Sequence, residues 1–217
     1  MHISDGIVPA QVCIAGYGVT GFLTWYSLRH IDRQGDSQAH IPKASLLTAA
    51  FFVASSIAVP VPPATSVHLL LNGLLGVVLG YFAIPAILVG LFFQALIVGH
   101  GGLTTLGVNA SMMGIPALLA FHIFQLRLVA GKGAIASRFK TGLFAFIGGA
   151  VGLALTALIF MGIVITTIPA SFDIGMERTA IVSLMLAHLP LALIEGAFTA
   201  MLAVFLQRVK PELLTER

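Results

Sequence analysis

The chain has 217 residues, of which 58% are hydrophobic and only 9% charged, with a formal net charge of +3 and a single cysteine. Soluble domains carry charge on about a quarter of their residues, so this composition places the protein in a membrane. It also excludes nucleic-acid binding, which needs a concentrated basic surface to neutralise phosphates. Cys13 has no second cysteine to pair with and lies in an apolar segment, where ordinary packing is its expected role.

A membrane span needs about 20 mostly apolar residues. Reading at that length predicts seven, in a single domain over 1–217: Ile7 to Leu28, Ala44 to Val59, Val67 to Tyr81, Ile84 to Gly99, Ser111 to Leu126, Thr141 to Thr167 and Thr179 to Leu206. The breaks carry turn-forming and charged residues, as in RHIDRQGDSQAHIPK, PVPPATS, HGGLTTLGVN and RLVAGKGAIASRFK. The expected fold is an all-α polytopic membrane protein.

Lysine and arginine are retained on the cytoplasmic side of a membrane. An outer N-terminus with seven spans puts 10 of the 11 basic residues inside and leaves only Arg178 outside. This predicts an outer N-terminus and a cytoplasmic C-terminus. The first span lacks the basic lead of a cleaved signal peptide and is expected to stay. With a bulky His2 after it, Met1 is expected to be retained with a free amine.

That amine begins a chelating unit. The Met1 nitrogen, the His2 amide nitrogen and the His2 imidazole close fused rings around one ion, a set suited to ions that favour square-planar nitrogen coordination. His68, just after the turn-forming PVPPATS and behind the predicted cap Thr65 or Ser66, lies on the same outer face. His100 adds a third imidazole there. Taken alone, a Met-His start occurs by chance in many chains, His68 fits hydrogen-bonded packing better than metal binding, and His100 fits a loop residue fixed by hydrogen bonds equally well; their place on one face is what strengthens the metal reading. The glycine-rich stretch HGGLTTLGVNASMMG holds too many helix breakers to span, and is expected to fold as a structured loop walling off a site. His122, His188 and Glu195 fall inside predicted spans. Polar groups there bond neighbouring helices or line a path, and the bridging role is the expected one.

The segments MHISDG, TSVHLLLNGLLG, GHGGLTTLGVNASMMGIPA and AHLPLALIEGAFTA occur in that order along nearly the whole chain. Together they resemble the CbiM/NikM family, the substrate-binding membrane subunits of energy-coupling-factor importers for nickel and cobalt. The resemblance implies a seven-helix subunit with its N-terminus tucked into the bundle. It implies Ni²⁺ or Co²⁺ held by the Met1 amine, the His2 amide and imidazole and the His68 imidazole, with no other cofactor. The loop from His100 to Asn109, including Thr104 and Thr105, would cover the ligands, with Ser66 beside them. It further implies a transmembrane coupling subunit, cytoplasmic ATPase subunits, in some systems a small accessory membrane subunit, and the plasma membrane of a prokaryote. No G-x-x-x-x-G-K-[ST] loop is present, so ATP hydrolysis falls to those partners and the chain is not expected to be an enzyme.

The same residues fit two other classes of function poorly. A zinc enzyme built on His68, His100 and Glu195 lacks an H-E-x-x-H pair and separates the acid from the histidines in depth. An ion-driven carrier would show paired repeats or several intramembrane acids. Planar nitrogen coordination favours Ni²⁺ over Co²⁺ by the general affinity order, and Cu²⁺ over both, so metal supply and site rigidity must share in selection.

Overall fold

The computed structural model describes residues 2–33, 35, 37–57, 59–61, 65–129, 137–167 and 174–214, with side chains described for all of these except 37, 59–61, 65–67 and 174–185. Met1 therefore lies outside the described residues, as does the side chain of Ser66. Seven α-helices are present among the described residues: α1 (Ala10–Arg33), α2 (Ser37–Ser56), α3 (Asn72–Leu79), α4 (Ala83–Phe93), α5 (Leu106–Val129), α6 (Arg138–Thr167) and α7 (Ile174–Val209). One departure from an all-helical chain is a short antiparallel ribbon of β1 (Val59–Val61) and β2 (Thr65–Val67), with Pro60 opposite Ser66.

Among the described residues, four helical stretches are long and apolar enough to cross a membrane: Asn72–Val98, Leu106–Val129, Arg138–Thr167 and Leu186–Val209. Outward faces agree with that setting. Ile14, Phe22 and Trp25 on α1 and Leu193, Met201 and Phe205 on α7 are all exposed, and an apolar exterior of this kind is stable against lipid rather than water.

The first of those stretches does not run straight. A continuous helix of its 27 residues would separate its ends by roughly 40 Å, yet the rings of His68 and His100, which flank it, have centroids 6.3 Å apart. The reversal falls at Gly80, whose φ of 58° and ψ of −125° suit glycine alone. A 3₁₀ turn, Gly80–Phe82, follows at once. Tyr81 in that turn packs on His30, near the end of α1 remote from His2, with ring centroids 4.5 Å apart. Thus α3 descends from His68 and α4 returns to His100, two antiparallel legs.

Only eight residues of the predicted third span are helical, and His68 lies ahead of the helix, not in its first turns. The helix is capped at Leu71, in the left-handed region at φ 51°, with no side-chain cap. Local sequence cannot show why this is stable. The Glu195 carboxylate on α7 accepts from the backbone N–H of Leu70 and, at 3.1 Å, of Leu71, satisfying amides that find no partner within the helix they precede. Helix α5 is the second correction. It begins at Leu106, so Asn109 belongs to a helix and not to a loop.

Close helix crossings depend on small residues, the usual solution where lipid gives no hydrophobic drive to association. A β-carbon at Gly16 would lie 2.5 Å from Val108, and one at Gly76 only 1.9 Å from the Ala117 carbonyl oxygen. Gly73 meets Gly149 and Gly152 in the same way. At the end remote from His2, Lys43 Nζ donates to the carbonyls of Val78 and Leu213 at 3.0 and 3.1 Å, and Arg127 donates to that of Leu214 at 2.6 Å. These bonds tie the C-terminal 3₁₀ turn Pro211–Leu213 to α2, α3 and α5.

Gly76→Ala is expected to lower stability by about 1–3 kcal/mol through overpacking between α3 and α5. A thermal melt in detergent would show it, whereas Gly18→Ala, with open space around its α-carbon, should melt as the parent does.

Candidate metal centre

Residues 2–6 do not form a loose tail. Asn109 in α5 grips the main chain of Ile3 from both sides: its Oδ1 accepts from Ile3 N at 2.9 Å and its Nδ2 donates to Ile3 O, also at 2.9 Å. Thr105 Oγ1 donates to the same carbonyl at 2.7 Å. The Ile3 side chain is buried against Val8 and Val108. Two residues on, Asp5 Oδ1 accepts from Thr104 N at 3.0 Å, Thr104 Oγ1 at 2.5 Å and Thr105 N at 3.3 Å. The carboxylate thus caps α5 from another part of the chain, at the positive end of the helix dipole. Its pKa is held below the usual carboxylate value, chiefly by the Thr104 hydroxyl.

This cap is why the glycines of GHGGLTTLGVN do not prevent a helix. Gly102 lies where a β-carbon would collide with Asp5, and Gly107 where one would collide with the α1 backbone at Tyr17. They admit neighbours rather than break structure. Tyr17 donates its hydroxyl to Leu103 O, and Thr20 Oγ1 donates to Gly107 O at 2.6 Å, which completes the seam between α1 and the start of α5.

Gripping Ile3 fixes His2, and three imidazoles meet there. The His2 ring lies 4.9 Å from that of His68 and 6.2 Å from that of His100, centroid to centroid, with interplanar angles of 22° and 9°. His68 is buried and reaches this place from the irregular segment that Glu195 braces. His188 is buried on α7. His122 does not join the group: it packs against Phe121 and Tyr81, toward the remote end of α1. Among the described residues, no three His, Cys, Asp or Glu side chains form a ready metal site.

The His2 imidazole titrates well below its ordinary value. Burial is the first cause, followed by the positive charge of the N-terminus and then His68 and His100, with Gln94 acting in the opposite direction. The ring is therefore neutral at physiological pH, as a metal ligand must be.

Gln94 escaped the sequence reading. It stands in an apolar run, LFFQALIVG, with no motif or spacing to mark it. Fully buried, it opens a π-helical turn, Gln94–Val98, a local distortion common at functional sites. Its side-chain Nε2 donates to Ser55 Oγ on α2, and its main-chain carbonyl accepts from His100 N at 3.2 Å.

Fold and site together define a polytopic helical membrane protein whose N-terminal residues are built into a buried histidine cluster. The chain belongs to the CbiM family, described as the cobalt uptake substrate-specific transmembrane region, whose model matches residues 2–213. A putative metal transport protein of Haemophilus influenzae is 32% identical over 99% of this chain and 97% of its own length. The fused nickel transport protein NikMN of Rhodobacter capsulatus is 31% identical over 100% of this chain and 65% of its own. A crystal structure of a transition metal transporter superimposes with a TM-score of 0.79 at 24% identity, covering 96% of this chain and 93% of that one, and so shares its fold. The chain is a membrane-embedded metal transport component and not an enzyme.

Two measurements probe the seat of the hexapeptide. The folded-state pKa of His2 lies below its unfolded value of 6.5, so its contribution to docking is complete above that pH and falls away as acid protonates the ring. Hydrogen exchange at Ile3 N should accordingly quicken as the pH drops below 6.5, after correction for intrinsic rates. Asn109→Ala leaves the buried Ile3 N–H without its acceptor and should weaken docking by about 1–3 kcal/mol, read from the same amide at fixed pH.

Proposed function

We propose that the protein is the substrate-capture subunit of an energy-coupling-factor importer in a prokaryotic plasma membrane, taking Ni²⁺ or Co²⁺ from outside. The reading holds that the chain crosses the membrane seven times, with the N-terminus outside and the C-terminus in the cytoplasm. The ion is held by four nitrogens: the Met1 amine, the His2 amide, the His2 imidazole and the His68 imidazole. The observation that carries this is the near-parallel packing of the His2 and His68 rings at 4.9 Å, with the His2 backbone held through the Asn109 grip on Ile3. One ion shared by both rings calls for imidazoles this close together, and a fused chelate calls for a main chain that does not move.

His100, Thr104, Thr105 and Asn109 surround these donors and shield them from water. A transmembrane coupling subunit and cytoplasmic ATPases supply the energy, since this chain holds no phosphate loop; a small accessory membrane subunit is a further partner. The names of the relatives, nickel transport for one and cobalt transport for others, agree with either ion, and planar nitrogen coordination favours nickel.

His68→Ala is expected to abolish tight Ni²⁺ binding in titration calorimetry while leaving the protein folded, and His122→Ala to bind as the parent does. Equal affinity in both variants would refute the ligand set. An uncleaved N-terminal tag converts the amine to an amide and should remove binding. Affinity should also decline steeply as the pH falls, because protons compete for the amine and imidazoles.

A further inference from the structure

Two buried polar atoms near the histidine cluster lack a hydrogen-bond partner among the described residues, and they complement each other. One is Nε2 of His2; the other is Oε1 of Gln94. An imidazole nitrogen that carries a proton is a donor, and an amide oxygen is an acceptor. The orientation of the amide is fixed from its other end, because Nε2 of Gln94 already donates to Ser55 Oγ and, at 3.5 Å, to Phe52 O on α2. Ser55 is held in turn by its own bond to Phe51 O. Rotating the amide by half a turn would set its oxygen against the Phe52 carbonyl, so Oε1 is the atom left for the cluster. Gln94 is also among the side chains near enough to act on the His2 ring.

The geometry points to Gln94 as the positioning residue that holds His2 in the Nε2–H form, leaving Nδ1 to face the ion, with Ser55 as its anchor on α2. This rests on the proposed function, in which the His2 ring is a ligand. The chelate formed with the His2 amide can close only through Nδ1, the ring nitrogen nearer the backbone. A histidine with the other tautomer presents a proton where the ion should be. Metal-bound imidazoles commonly donate their second N–H to a fixed acceptor for this reason, and removal of that acceptor typically costs 10–100-fold in affinity. The π-helical turn has a role on the same account. It begins at Gln94, at the point where α4 meets both the His100 backbone and α2.

The test uses the full chain in detergent, Ni²⁺ as the probe, and ¹⁵N chemical shifts of the His2 ring in the diamagnetic planar complex alongside binding titrations. Gln94→Leu should lower Ni²⁺ affinity by about 10–100-fold and give a mixed tautomer signature in the metal-free protein. Gln94→Glu keeps an acceptor and should restore a single Nε2–H tautomer with affinity close to the parent. Ser55→Ala, which frees the amide to turn, should mix the tautomers with a smaller loss of affinity, and it decides the matter if Gln94→Leu does not fold. A single Nε2–H tautomer and parental affinity in Gln94→Leu, or in its place an unmixed tautomer in Ser55→Ala, would overturn the assignment. So would a Gln94→Glu protein as impaired as Gln94→Leu. If the parent's His2 ring signals do not respond to Ni²⁺ at all, it is the ligand set that fails.

Discussion

The site end of this molecule depends on one side chain holding one peptide unit. Asn109 meets both the N–H and the C=O of Ile3, and an amide side chain is the only uncharged group that offers an acceptor and two donors in one plane. Without that pairing, the first residues would be an ordinary frayed terminus. With it, the His2 ring is brought against His68, Asp5 arrives at the start of α5, and the helix gains a cap it lacks in its own sequence. The two effects support one another: α5 presents Asn109, and the segment that Asn109 grips helps α5 to begin.

The same logic recurs on the other side of the cluster. Glu195 holds the segment leading into α3, and the short length of α3 is what lets His68 sit within the bundle rather than at its rim. The broken pair α3 and α4 thus brings two histidines, His68 and His100, to one end from a single hairpin. Glycine at 80 permits the reversal, and glycines at 73 and 76 permit α3 to lie against α5 and α6 without intervening side chains.

Much of this was legible in the sequence, and the exceptions share a cause. The helical, membrane-embedded character followed from apolar length, with four stretches among the described residues long and apolar enough to cross, and His2 and His68 stood out as donors expected on one face. The early start of α5 was hidden because its cap comes from Asp5, about 100 residues away, so glycines read locally as breakers were in truth contact points. His68 looked helical because TSVHLLLNGLLG is apolar enough to be a helix. The carboxylate that stabilises the irregular backbone after it is 125 residues from Leu70, which it holds. Gln94 gave no signal at all, since a single amide in a hydrophobic run has meaning only when its neighbours in space are known.

The polar contacts that fix this end share a further property: Asn109, Thr105 and Glu195 all bind main-chain atoms of residues 3, 70 and 71, not side chains. Apolar residues of similar size are therefore interchangeable at those positions as far as these bonds are concerned, and lineages can drift there without disturbing the cluster. Proline is the exception. It has no N–H to give, and at residue 3, 70 or 71 it would delete the donor on which the contact is built. Selection at these sites should thus show itself as the absence of one amino acid rather than the persistence of another.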